Sequence, residues 1–183
     1  MSKKLYMYRL LSDHIKEEYL MYVGGFYFSD KWNLVGLDRH YWKDANIRDF
    51  FKDGNIRPFE VRQNNFDLLL STAPLLDIKI IKVDFTDELL EEEHEELIQI
   101  LRSESYDDLN EFVENQRFEF ERDIEQITFR FNNIKSYHNI TFSRDGVLVI
   151  DTTDENKLPN VISTEPIGLL SGVYLPNDSE RLH

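Results

Sequence analysis

The residues of this 183-residue chain whose types and spacing promise chemistry are carboxylates, crowded into one stretch. Between Asp84 and Glu125 seventeen acids face only three bases, Arg102, Arg117 and Arg122. The formal net charge is −14, so this stretch carries all of it; the remaining residues balance at eighteen acids and eighteen bases. Read as a helix, Glu88, Glu91, Glu92, Glu95 and Glu96 fall on one face and span about 12 Å, one carboxylate per ~2.5 Å. Each strand of duplex DNA carries a phosphate every ~3.4 Å. The expected chemistry is therefore charge pairing with a surface built to hold nucleic acid. A merely solvated helix face usually mixes signs to gain i,i+4 pairs. This stretch contains no lysine and repels itself.

Other chemistries lack their residues. With no cysteine, disulfides, zinc–thiolate sites and thiol catalysis are excluded. The run His94-Glu95-Glu96-Leu97-Ile98 begins like a zinc-protease helix, but Ile98 stands where the second histidine belongs, so His94 is expected on the inner stripe of its helix or beside a glutamate. Gly24-Gly25 is followed by no Gly-Lys-Ser/Thr, and Ser171, in Leu170-Ser171-Gly172, lacks the preceding glycine that a serine elbow requires. Clustered carboxylates suit Mg²⁺ or Ca²⁺, yet neither an EF-hand pattern nor a two-metal spacing is readable, so no metal or cofactor is expected. The acidic balance argues against direct nucleic-acid binding.

Tyr6-Met7-Tyr8 and Tyr22-Val23-Gly24 resemble the paired tripeptides of the GIY-YIG nucleases over about sixty residues. That resemblance implies a Mg²⁺-dependent nuclease using Tyr8, Tyr22, Arg39 and Glu60, with His40 beside them. It departs from the family pattern in the missing glycine of the first tripeptide and in the distance of Arg39 from Gly24. In size, absence of cysteine and local acidity the chain is also similar, as a class and without a motif, to phage-type anti-restriction and anti-CRISPR proteins. This second resemblance implies a basic protein partner, a CRISPR effector or another nuclease, whose phosphate-holding groups are met by Glu88, Glu91, Glu92, Glu95, Glu96, Asp107, Glu111, Glu114 and Glu121, with Phe118 as an apolar anchor. An immunity protein that neutralises a basic nuclease toxin needs the same surface and is the non-enzymatic alternative.

The elements that must position these residues follow from periodicity. Thr86, with Asp87 and Glu88 behind it, reads as the start of a helix running to about Arg102, with Leu90, His94, Leu97 and Leu101 inward. Ser105 starts a second helix to about Arg122, with Tyr106, Leu109, Val113, Gln116 and Phe120 inward and Asp107, Glu111, Glu114, Glu121 and Phe118 outward. Before this hairpin, strands are expected over Leu5–Leu11, Tyr19–Phe28 (pairing with the first) and Leu75–Phe85, with short helices opened by Asp44 (closed by Gly54) and by Asn64 or Asn65. The aromatic residues crowded between Tyr19 and Phe51 are expected in the core. After the hairpin the period changes to two. Ile127–Phe131, Ile140–Phe142 and Val147–Ile150, with Asp145-Gly146 at a turn, form a three-strand antiparallel meander. Asp151–Asn160 reads as loop, Ile167–Leu175 as a last edge strand and Leu182-His183 as a frayed end.

The expectation is a single α+β domain over residues 1–183: an aromatic-rich part (1–85), an acidic helical hairpin (86–123) and an antiparallel meander (124–175). The length suffices for one self-sufficient core. No signal-peptide core or membrane-spanning run is present, so a cytoplasmic protein with no membrane partner is expected, in the host cell's cytoplasm if phage-encoded.

Overall fold

The computed structural model describes residues 2–11, 26–38, 56–133, 137–172 and 174. Eight strands form one antiparallel sheet: β1 (Ser2–Leu10), β2 (Phe26–Ser29), β3 (Leu34–Leu37), β4 (Ile56–Pro58), β5 (Ile78–Phe85), β6 (Ile124–Phe131), β7 (Tyr137–Ser143) and β8 (Val147–Thr152). Their order is β2-β3-β1-β8-β7-β6-β5, with β4 also paired to β1. The helices are α1 (Gln63–Thr72), α2 (Glu91–Ser103), α3 (Tyr106–Phe120), α4 (Leu158–Ile162) and α5 (Glu165–Leu170), with a 3₁₀ turn over Glu155–Lys157 before α4. Helices and an antiparallel sheet make the α+β class of the chain a finding.

The meander β6-β7-β8 and its Asp145-Gly146 turn form as their two-residue period predicts. Gly146 has φ +80°, and a Cβ there would lie 2.3 Å from the Phe59 carbonyl oxygen, so only glycine fits this turn. Register aligns the apolar positions into a row. Leu5 opposes Leu148, Leu148 opposes Phe142, Phe142 opposes Ile127, and Ile127 opposes Val83. Residues directly opposite share a face, so this row lays one buried stripe across five strands. On the other face Thr128 and Thr141 join hydroxyls at 2.8 Å.

Several expectations change. Phe26–Phe28, the described end of the second predicted strand, lies in β2, which pairs with β3 rather than with β1, since β3 lies between them; Tyr19–Gly25 lie outside the described residues. The N-terminal strand pairs instead with β8 at the far end of the chain, a register no local pattern encodes. Residues 151–160 are not a loop throughout: β8 runs to Thr152, and α4 begins at Leu158 after the 3₁₀ turn. The predicted edge strand at 167–175 is instead, over residues 167–170, part of the helix α5, followed by a turn at Ser171 and Gly172; residues 173 and 175 lie outside the described residues. Pro166 occupies its first turn, where no N–H is needed, and Pro166 through Leu170 are all buried. Short apolar runs carry no periodicity to separate strand from helix. Tyr22, Arg39, His40, the stretch opened by Asp44 and the chain end lie outside the described residues.

Candidate functional site

The acidic stretch folds as α2 and α3, joined by Glu104 and Ser105. α2 starts four residues later than the Thr86 signal predicts. The Thr86 N–H donates to the Asp123 carbonyl at 2.9 Å and the Thr86 hydroxyl accepts the Asp123 N–H at 3.2 Å. These bonds extend the β5–β6 ladder and take the hydroxyl away from any capping role. Glu88 therefore precedes the helix, and the five-carboxylate helical ridge contracts to Glu91, Glu92, Glu95 and Glu96.

Phase also differs. Leu97 is the one buried residue of α2, while Leu90 is 64% exposed and His94 points to solvent rather than onto the inner stripe. Glu93 sets this rotation. Its carboxylate accepts the Leu90 N–H at 2.8 Å and the Arg122 guanidinium at 2.7 Å. Arg122 also donates to the Gln116 carboxamide at 2.8 Å, and Gln116 is buried on α3. Burial alone pushes the Glu93 carboxyl up. The Leu90 N–H, the Arg122 and Gln116 hydrogen bonds and the Arg122 charge outweigh it and hold the group below its ordinary value.

On α3, Leu109, Phe112, Val113 and Gln116 are buried. Phe112 packs its ring 6.1 Å from that of Phe85, an inward position that the predicted stripe omits. Phe120, expected inward, is 46% exposed and carries the Arg122 guanidinium 4.9 Å from its ring centre. The helix ends there, with Glu121 at φ 53°, so the last ring has left the inner stripe's support. Phe118 is 76% exposed, the most exposed large apolar side chain among the described residues.

Arg117 and Arg122 are half-buried while Arg102 and most of the acids are exposed. Arg117 pairs with Asp67 of α1, Arg122 with Glu93 and Arg144 with Asp123; Lys79 and Lys82 of β5 engage Glu104 and Asp84. Glu88, Glu91, Glu92, Glu95, Glu96, Asp107, Glu111, Glu114 and Glu121 are all exposed. None of them forms an ion pair among the described residues. Glu91 to Glu96 spans about 7.5 Å of axis with four free carboxylates, and Asp107 to Glu114 adds a parallel set on α3 over about 10 Å.

The residues of the nuclease reading are less well assembled. Tyr8 is 4% exposed in β1, held between Val35 of β3 and Pro58 of β4. Glu60, two residues after Pro58, is exposed in a cleft of about 530 Å³ that also holds Asp123, Glu125, Asp145, Arg62 and Arg144. Among the described residues no three His, Asp or Glu side chains are grouped to hold a metal ion. No helix among them is long and apolar enough to cross a membrane. The Glu93–Arg122–Gln116 clasp and the Arg117–Asp67 pair are tertiary features, and the one sequence signal for them is a glutamine inside the apolar stripe of α3. Compared with known proteins, the chain matches no family model, no curated protein and no solved structure.

Proposed function

We propose that this protein is an acidic interaction protein that inhibits a nucleic-acid-handling enzyme by offering its carboxylates to the enzyme's basic channel, as an anti-CRISPR protein does to a CRISPR effector nuclease. In this reading the α2–α3 pair is an acidic helical hairpin, framed in the chain by antiparallel strands, and it is the working part. The observation that supports the reading is the sorting of charge. Arg117, Arg122 and Arg144 and the β5 lysines Lys79 and Lys82 engage other acids, and Arg102 is exposed without an ion pair, so the outward carboxylates have no partner among the described residues. Free carboxylates at this density repel one another in the isolated protein, and a cationic groove relieves that repulsion. Their spacing along α2 is at least as dense as that of phosphates along a DNA strand. Arginines that otherwise hold phosphates would pair with them through charge-assisted hydrogen bonds, and the long-range field would speed association.

Phe118 supplies what charge alone lacks. It stands one turn beyond Glu114 on the outward face of α3, an aromatic ring inside a polar rim, which is the arrangement of an interface hot spot. The test is capture of the partner from host lysate on immobilised protein, eluted with salt, followed by reversal of Glu91, Glu92, Glu95 and Glu96 to Lys. Folding is expected to survive, since all four are exposed. Affinity is expected to fall strongly, with the larger loss at low salt where screening is weakest. Unchanged affinity across that series rejects the reading.

A further inference from the structure

A second feature lies beside the carboxylate faces, and its interpretation rests on the interaction reading above. A cleft of about 460 Å³ opens between α1 and α3. Its floor is apolar, made by the buried Val113 and the half-buried Leu68. The rim is polar and comes from both helices: Asn64, Asp67 and Ser71 on α1, Asn110 and Glu114 on α3.

Hydrogen-bond accounting shows which rim groups are free. Both oxygens of Asp67 are engaged, one accepting the Gln63 carboxamide at 3.0 Å and the other the Arg117 guanidinium. The Ser71 hydroxyl donates to the Leu68 carbonyl at 3.1 Å, so only its acceptor side is free. The side chains of Asn64, Asn110 and Glu114 make no hydrogen bond or ion pair among the described residues. The cleft therefore presents acceptors on both walls, the Glu114 carboxylate among them, above a hydrocarbon floor.

We infer that this cleft takes an arginine side chain of the basic partner, its methylene stem on Val113 and Leu68 and its guanidinium between Glu114, Asn110 and Asn64. A guanidinium spreads five N–H donors in a plane and can reach both walls at once, whereas an ammonium is a compact point charge that keeps its water. The cleft edge already holds one such group in cis, since Arg117 lies against Asp67. Phe118 stands about 6 Å further along α3 than Glu114, so the same partner would present an apolar recess next to its arginine.

The experiment titrates the isotope-labelled full chain with a tri-arginine peptide and, in parallel, a tri-lysine peptide at low salt, reading amide resonances. The expected result is movement of the Asn64 and Asn110 side-chain amides with tri-arginine at lower concentration than with tri-lysine. The double variant Asn110→Ala, Glu114→Gln is expected to weaken tri-arginine binding about tenfold while keeping the wild-type melting temperature, because both side chains lack internal partners. Asn64→Ala, on the other wall, is expected to act in the same direction. Shifts confined to α2, or full binding by the double variant, overturn the cleft assignment and leave the carboxylate surface standing. Cleft shifts that persist in a chain whose α2 reversal leaves partner affinity unchanged support the cleft and reject the broader reading.

Discussion

Two helical pairs in this molecule solve opposite problems. In α2, thirteen residues long, a single residue is buried; in α5, six residues long, five are. The short pair α4–α5 is tied to distant parts of the chain. The Trp32 indole N–H donates to the Thr164 carbonyl at 3.0 Å, the Asn65 carboxamide donates to the Leu169 carbonyl at 3.1 Å, and Arg9 donates to the Ser171 carbonyl. The acidic pair has less to hold it. Leu97 and the inner face of α3 join the core, and the Glu93–Arg122 clasp ties the start of α2 to the end of α3. Apolar burial and long-range hydrogen bonds build the body, while the acidic pair is anchored on one side, by Leu97, the inner face of α3 and a few polar ties. Most of the surface of α2 is thereby left exposed.

The sharpest way to break this contrast is to truncate the C-terminal pair. Leu169→Ala is expected to cost about 3 kcal/mol of stability, measured by urea unfolding, because the side chain is fully buried and its removal leaves a cavity. A loss no larger than that of an exposed site would erase the distinction between the pairs. Phe118→Ala is expected to do the reverse. Stability should stay within about 0.5 kcal/mol, since the ring is mostly exposed. Affinity for the captured partner should drop by about 2 kcal/mol, read by calorimetry. A stability loss without a binding loss would assign Phe118 to the fold.

Smaller still, Arg122→Ala is expected to cost about 1 kcal/mol at neutral pH, because it removes the guanidinium bonded to Glu93 and Gln116. The sign of its pH dependence follows from the lowered Glu93 value. A carboxyl depressed in the folded state adds stability above its ordinary value of 4.5, and that contribution is lost as pH falls through the folded value. The gap between wild type and variant, followed by denaturant midpoints, should therefore be full at pH 6 to 7 and narrow at pH below 4.5. A gap that widens on acidification would show that the clasp does not depend on the Glu93 charge.

Where the fold could be read in advance, local spacing and global packing agree. The alternation of Ile127, Phe129 and Phe131 and the Asp145-Gly146 turn point to the same meander, and the Leu109–Val113–Gln116 stripe finds the buried face of α3. The misreadings have separate physical causes. Thr86 is a good capping residue whose hydroxyl and N–H are claimed by Asp123 across the sheet. His94 fits an apolar stripe by spacing, but the helix keeps Leu97 buried while turning Glu93 onto Arg122, which leaves His94 exposed. Phe120 falls outside the stripe because α3 ends beneath it. In the candidate site, the acids of α2 and α3 were legible as a charged surface, whereas the clasp and the α1–α3 cleft needed residues some tens of positions apart.

Composition and local periodicity by themselves determined the charge of this protein, the stretch that carries it, the α+β class and the outward position of Phe118. Only the tertiary structure decided which acids are spent internally, where α2 begins, and that β1 closes on β8. Charge and periodicity are properties of neighbouring residues, written directly in the chain. Pairing is a competition among partners distant in sequence, and it is settled only when burial makes an unpaired group costly.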